Sequence, residues 1–258
     1  TYVTNTAEDG SELPQVQAAV AGGFVGEMTG GKVNVTKDEE DKTAVTNIEN
    51  VKGTYFAGGF AGLATSGGLA ETGGLSLLGG TIKLGSVDSL ISVLEVYLPV
   101  INYAGVSAGE KGLVVSASEK MAAKSSKDES TNQEPNADLI SSNSGSAGGY
   151  VGYGCGVRIA DSDVIGLRAT DVAAPDPLRS EKGESYFGAD SKYAVTAPRY
   201  AGGYAGKLDI GNAASLGSGL GVDILGIKVT LEGVTDVLAA VASKIENSDV
   251  SGQTGGFS

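Results

Sequence analysis

The chain has 258 residues, a formal net charge of −13 and glycine at 41 positions. Nucleic-acid affinity comes largely from Lys and Arg side chains that displace counterions, so this acidic chain is not expected to bind DNA, RNA or an anionic membrane surface. The sequence has no His and one Cys, which excludes a Ser-His-Asp triad, a Cys-His pair, His-ligated zinc and an intramolecular disulfide. Cys155 is interpreted as a small buried side chain. A hydrophobic content of 41% predicts a folded chain.

The first segments of the chain predict a strand and a turn. Val33 to Thr36 alternates like a strand with one face buried. The charged run from Lys37 to Lys42 predicts a solvated turn. A calcium loop is the alternative, but the run lacks the alternating oxygen ligands and central glycine of an EF-hand. No cofactor is therefore expected, and calcium is kept as the alternative.

A Gly-Gly-aromatic motif recurs along the chain, and its residues are the predicted structural sites: Gly22, Gly23, Phe24, Gly58, Gly59, Phe60, Gly148, Gly149, Tyr150, Gly202, Gly203, Tyr204, Gly255, Gly256 and Phe257. The first glycines are 36, 90, 54 and 53 residues apart. This spacing is too uneven for a propeller, and fits a β-solenoid whose coils carry excursions of variable length. Because the chain stops inside the fifth motif, we expect it to be a piece of a longer array that would hold any targeting or anchoring signal.

Each part of the motif has a predicted role. Gly-Gly permits a turn with positive φ or a close approach of two backbones. The aromatic rings are expected to stack inside the solenoid from coil to coil, each buried ring contributing about 2 to 3 kcal/mol. The last glycine of each complete motif is expected to end a strand. An antiparallel sandwich would explain the turns, but not why the aromatic residue always follows Gly-Gly.

Segments between the motifs predict further short strands. Ile48 to Gly53, Ile101 to Ser107 and Ile245 to Gly252 share a rhythm of Ile, Asn, Val and Gly that is typical of a strand, a polar turn and a second strand. Val157 to Ala160 and Val164 to Leu167 are further strand candidates.

Two segments 147 residues apart resemble each other, Leu77 to Leu84 and Ile224 to Leu231. Each predicts a strand followed by a short amphipathic helix, which Ser86 or Thr235 would begin, because four apolar residues follow at positions i, i+3, i+4 and i+7. These residues are Val87, Leu90, Ile91 and Leu94 in the first helix, and Val234, Val237, Leu238 and Val241 in the second. We interpret both helices as covers for the core. The chain is thus predicted to be a single array with halves at about 1–140 and 141–258.

Long polar loops are predicted at 109–146 and 178–199. The first contains the run from Lys124 to Asn136, which has no apolar period, and the second contains the polar run from Arg179 to Lys192. Such segments are typical of surface loops.

The repeated sequences Gly-Gly-Phe-Val-Gly, Gly-Gly-Phe-Ala-Gly, Gly-Gly-Tyr-Val-Gly and Gly-Gly-Tyr-Ala-Gly resemble the GLUG-type repeats of large bacterial surface proteins and adhesins. This resemblance implies a right-handed parallel β-helix on the cell surface or in the cell wall, most often of a Gram-positive bacterium. It implies as partners a host or cell-surface protein or glycan, together with neighbouring repeats of the parent chain. It does not cover the predicted helices or the polar loops.

The predicted function is that of a non-enzymatic extracellular module that extends or displays an adhesin. The alternative is a β-helix that binds or cleaves carbohydrate, since two carboxyl groups in a cleft can hydrolyse a glycosidic bond. Asp161 and Asp163, with Tyr150 and Tyr153 nearby in sequence, are the candidates, and a solvated turn is the simpler interpretation of the two carboxylates. Protein adhesion through the polar loops is a third possibility. No apolar run long enough to span a membrane is present, so direct membrane insertion is not expected.

Overall fold

The computed structural model of the chain describes residues 2–4, 15–35, 43–66, 98–109, 112–121, 142–168, 193–209, 222–224, 227–229 and 242–252. Strands make up 65% of these residues. In chain order the strands are β1 Tyr2–Thr4, β2 Gln15–Gly22, β3 Val25–Thr29, β4 Lys32–Asn34, β5 Thr43–Ile48, β6 Asn50–Gly58, β7 Ala61–Thr65, β8 Val100–Asn102, β9 Gly105–Ala108, β10 Val114–Ala117, β11 Ser146–Gly148, β12 Val151–Cys155, β13 Arg158–Ala160, β14 Val164–Leu167, β15 Val195–Thr196, β16 Tyr200–Gly202, β17 Ala205–Asp209, β18 Val222–Ile224, β19 Ile227–Val229, β20 Lys244–Glu246 and β21 Val250–Gly252.

Most of these strands belong to four sheets, which we name A to D. Sheet A contains β1, β2, β6, β10, β11, β15 and β16; sheet B contains β3, β7, β12 and β17; sheet C contains β4, β8, β13 and β20; sheet D contains β5, β9, β14 and β21. Within these sheets only β1 pairs antiparallel, with β2, and β18 and β19 form a separate antiparallel pair. The predicted mainly β fold with parallel strands is confirmed, and an antiparallel sandwich is excluded for the described residues.

The chain passes through sheets A, B, C and D in that order four times. We call each passage a circuit: β2–β5, β6–β9, β10–β14 and β15–β21. In every sheet each circuit pairs with the circuits that precede and follow it in the chain. The sequence repeat and the strand repeat therefore coincide.

Equivalent residues of the circuits align across the sheets. The first motif glycines Gly22, Gly58, Gly148 and Gly202 are paired along sheet A. The apolar residues Val33, Ile101, Ile159 and Ile245 are paired along sheet C, and Val45, Val106, Val164 and Val250 along sheet D. A one-residue slip would move a whole strand's apolar side chains to the other face, so repeated apolar residues fix this register.

One apolar core collects side chains from all four sheets, including Val51, Ala61, Ile101 and Val106. A second, smaller cluster contains Phe56, Leu63, Tyr153 and Cys155. Phe56 directly precedes Ala57, whose side chain lies in the main core. Because successive side chains of a strand point to opposite faces, Phe56 and the second cluster lie on the other face of sheet A. Cys155 is a buried free thiol, as its sequence context predicted.

The predicted strand-turn-strand segments are confirmed at two of three places. Ile101 and Ile245 lie in β8 and β20, and the turns after them contain Tyr103 and Asn247 with φ of 52° and 46°. The segment from Ile48 to Gly53 is not equivalent, because Ile48 ends β5 in sheet D and Asn50 already begins β6 in sheet A. Val33 occupies the matching place in the first circuit.

The prediction of long loops at 109–146 and 178–199 was partly wrong, because each segment contains a strand of sheet A. Within the first, β10 pairs with β6 and buries Val115 and Ala117, and the preceding Leu113 is also buried. Within the second, β15 pairs with β10. Both strands are short and lie next to long polar segments, so the average polarity of each region concealed them. The polar runs 124–136 and 179–192 lie outside the described residues.

Sheets B and C are joined by connections of very unequal length. Gly30 and Gly31 alone connect β3 to β4, and Gly156 and Val157 alone connect β12 to β13. Residues 66–99 and 210–243 make the same connection in the second and fourth circuits.

Both predicted helices fall in these longer connections and lie outside the described residues, as do 37–42, 77–84 and the fifth motif. Part of the second predicted strand, 224–231, is described and forms the antiparallel pair of β18 with β19 instead of one continuous strand. Among the described residues there is no helix with the length and hydrophobicity that crossing a membrane requires.

Candidate functional site: the Gly-Gly-aromatic ladder

The aromatic rings of the four described motifs form one continuous stack. Ring centroids are 4.8 Å apart between Phe24 and Phe60, 5.0 Å between Phe60 and Tyr150, and 4.9 Å between Tyr150 and Tyr204, with interplanar angles of 9°, 2° and 12°. The spacing matches the distance between neighbouring strands. The predicted stacking of the rings on one another is confirmed for these four residues. Phe24 is 51% exposed, so the ring at the start of the stack is not buried as predicted.

The Gly-Gly pair is required by close backbone approach. A Cβ on Gly59 would lie 2.0 Å from the carbonyl oxygen of Gly149, and a Cβ on Gly149 would lie 2.0 Å from that of Gly203. None of the Gly-Gly residues in the described motifs has a φ in the left-handed region. Of the two roles expected for these glycines, close approach is the one that the structure shows.

The last glycine of each motif was expected to end a strand, and this prediction was wrong. Gly62, Gly152 and Gly206 are the second residues of β7, β12 and β17. A Cβ on Gly152 would lie 2.7 Å from the backbone oxygen of Ala57 and 2.5 Å from that of Gly62. These glycines therefore let the strand of sheet B cross close to the strand of sheet A at the corner that follows the ring.

The tyrosines of the stack connect neighbouring circuits. The Tyr150 hydroxyl donates to the Ala104 carbonyl at 2.8 Å, and the Tyr204 hydroxyl donates to the Ser162 carbonyl at 2.7 Å. Each acceptor lies in the sheet C to sheet D turn of the preceding circuit. Burial raises the pKa of both hydroxyls well above the ordinary range, and for Tyr150 the nearby Tyr204 raises the pKa further.

We expect the free energy of unfolding to fall as the pH rises above about 10, the ordinary tyrosine pKa. In that range the unfolded chain releases the phenolic protons that Tyr150, Tyr153 and Tyr204 retain in the folded chain, since burial raises all three pKa values. Each tyrosine then contributes a loss of about 1.4 kcal/mol per pH unit. Urea unfolding between pH 8 and 11 measures this slope, and the double variant Tyr150→Phe/Tyr204→Phe should show a shallower decline. An equal slope in both proteins would contradict the assignment.

The carbohydrate-site candidates are not brought together. Asp161 has a φ of 50° and lies in the turn between β13 and β14, where the Asp163 carboxylate accepts a hydrogen bond from the Asp249 backbone at 2.8 Å. Tyr150 is fully buried in the ring stack. Tyr153 lies in the second cluster, separate from the core that contains Tyr150. These four residues do not line a common cleft, and the two carboxylates belong to a turn.

A polar cluster that sequence reasoning missed lies beside Tyr153. Lys207 and Asp209 are alternate residues of β17, and their side chains form an ion pair of 2.8 Å between Lys207 Nζ and Asp209 Oδ2. The Tyr153 hydroxyl donates to the same carboxylate oxygen at 3.0 Å, and Lys207 Nζ donates to Asn143 Oδ1. Lys207-x-Asp209 directly follows the fourth motif, which is the only sequence signal of this cluster. Tyr153 is 56 residues from Asp209 in the sequence, and Asn143 is 64 residues from Lys207.

The part of the chain that the structure describes contains no group of three or more His, Cys, Asp or Glu side chains that could hold a metal ion. The segment kept as the calcium alternative, residues 37–42, lies outside that part. No family model matches the chain, and no curated protein or solved structure gives a significant match. The GLUG-type resemblance therefore rests on the motif residues alone.

Proposed function

We propose that the four circuits form a right-handed parallel β-helix, a β-solenoid, that serves as a non-enzymatic module of a bacterial surface adhesin. The observation that carries this proposal is the ladder of equivalent motif residues, in which Gly-Gly corners and stacked rings repeat in the same register through every described circuit. A ladder of this kind extends by adding circuits, and each circuit contributes about 4.8 Å of length. The module would hold other parts of the parent chain away from the cell wall.

The composition of the chain agrees with a display role. The absence of His removes the side chain that most often serves as a general acid or base. Asp161 and Asp163, the carboxylates that the sequence suggested as catalytic candidates, lie in a turn. In this proposal any contact with a host protein or a glycan involves the long connections between strands, whose lengths differ from circuit to circuit. The GLUG-type resemblance supplies the cell-surface location.

Labelling of intact cells tests the proposal. An antibody raised against the folded chain should label intact cells of the source organism as strongly as permeabilised cells, with a cytosolic protein as the control that is labelled only after permeabilisation. Labelling that requires permeabilisation would exclude a surface role. Release of reducing sugar from a panel of polysaccharides by the purified chain would exclude a non-enzymatic one.

A further inference from the structure

The polar cluster beside Tyr153 places an amine, a carboxamide and a carboxylate in mutual contact. Lys207 Nζ is 2.5 Å from Asn143 Oδ1 and 2.8 Å from Asp209 Oδ2. Because a carbonyl bond is about 1.23 Å long, the Asn143 Cγ lies at most about 3.7 Å from Lys207 Nζ. This upper limit is close to the separation of about 3 to 3.5 Å at which a nucleophile attacks.

We propose that Lys207 and Asn143 join in an intramolecular amide bond, with Asp209 as the proton acceptor and donor for the reaction. The product would link the segment that precedes β11 to β17, and so tie the third circuit covalently to the fourth. Neither the ring ladder nor the surface role requires this bond.

The reaction balances without any cofactor or oxidant. Lys207 gives a proton to the Asp209 carboxylate, and the neutral amine attacks Asn143 Cγ. The new Nζ–Cγ bond forms, the Cγ–Nδ2 bond breaks, and protons from Asp209 and from the attacking nitrogen pass to the leaving group. Nitrogen departs as ammonium, and Asp209 ends as the carboxylate it was at the start. Loss of the ammonium to solvent makes the reaction effectively irreversible.

The surroundings hold these groups in position. Asn143 is 3% exposed, and the Tyr153 and Tyr200 ring centroids lie 5.8 Å and 5.3 Å from Lys207 Nζ. Parallel pairing of Tyr153 with Lys207 fixes where the lysine leaves the sheet. The hydrogen bond from the Tyr153 hydroxyl orients the Asp209 carboxylate. Because the reacting groups belong to one folded chain and are already in contact, no binding step is needed to bring them together.

A second Lys-x-carboxylate pair in the chain provides a matched control. Lys244 and Glu246 are alternate residues of β20, and their side chains form an ion pair of the same 2.8 Å length. Their side chains are 60% and 50% exposed, against 28% and 32% for Lys207 and Asp209. This pair has the charges of the cluster without its burial, so it should not react.

Intact-mass spectrometry of the purified chain tests the proposal. The folded protein should weigh about 17 Da less than its sequence mass, the mass of one ammonia. After trypsin digestion, the peptide containing Asn143 should remain joined to the peptide containing Lys207, and cleavage after Lys207 should be absent. The variant Lys207→Arg keeps the positive charge and the ion pair but cannot form the amide, so it should have its full sequence mass while remaining folded.

Two further variants keep the test decisive. Asp209→Asn removes the proton acceptor and should abolish or greatly slow the mass loss, whereas Lys244→Arg should retain it in full. A folded, unsubstituted chain that shows the full sequence mass after prolonged incubation would overturn the proposal. So would the same mass loss in Lys207→Arg, because the ammonia would then come from another residue.

Discussion

Replacing Gly149 by Ala should destabilise the folded chain by more than about 3 kcal/mol, because the new methyl group would overlap a backbone that has no room to move. The Cβ of Ala would lie 2.0 Å from the Gly203 carbonyl oxygen and 3.1 Å from Leu167 Cδ1. Removing this overlap would require the third circuit to separate from the fourth at the corner where their strands pair. Urea unfolding followed by circular dichroism measures the loss.

Gly203 provides the matched control for this experiment, since it holds the same motif position in the fourth circuit. Among the described residues, a Cβ there meets Val250 Cγ1 alone, at the ordinary contact distance of 3.6 Å. Gly203→Ala should therefore change the free energy of unfolding by less than about 1 kcal/mol. Equal losses in the two variants would mean that the requirement for glycine is not the close approach of neighbouring circuits.

Replacing Tyr150 by Ala should cost about 4 kcal/mol, the typical range for removing a large aromatic side chain from a core. Tyr150 is fully buried, and its ring stacks on both Phe60 and Tyr204. The substitution also removes the donor for the Ala104 carbonyl. Tyr150→Phe keeps the ring and loses only that hydrogen bond, so it should cost about 1 to 1.5 kcal/mol.

The end of the ring stack provides the comparison. Phe24 is 51% exposed and, within the described part of the chain, stacks on a single ring, so Phe24→Ala should cost about 1 kcal/mol. A loss at Phe24 as large as the loss at Tyr150 would show that the stack contributes through its length and not through burial of each ring. Urea unfolding of both variants under the same conditions decides between these outcomes.

The ring ladder could be predicted from the sequence because the same residues return in every circuit. When a residue pairs with its equivalent in the next circuit, the pairing can be predicted without knowing the length of the loop between them. Gly58 and Gly148 could therefore be matched across a gap of 90 residues. The position of Gly152 could not be predicted, because a glycine that ends a strand and a glycine that crosses another strand look the same in sequence. The short strands β10 and β15 were missed because parallel pairing within the sheet, and not the hydrophobicity of the segments around them, makes them strands.

The polar cluster could not be predicted for a different reason. Lys207, Tyr153 and Asn143 meet only because β12 and β17 pair in one particular register and because the segment before β11 passes over them. These residues do not recur in the other circuits: Glu27 and Leu63 occupy the matching places in β3 and β7. A repeat search finds what circuits share, and this cluster is a feature in which one circuit differs from the rest.

The unequal connections between sheets B and C identify a position for inserting foreign sequence. Two residues, Gly30 and Gly31, make a crossing that residues 66–99 make in the next circuit, so the corner accepts both lengths while the strands on either side keep their pairing. Closing a longer loop between fixed ends costs only about 0.6 kcal/mol for each doubling of its length. A peptide spliced between Gly30 and Gly31 would therefore project from the side of the sheets at a known height, and the chain could present antigens or affinity tags at a chosen spacing.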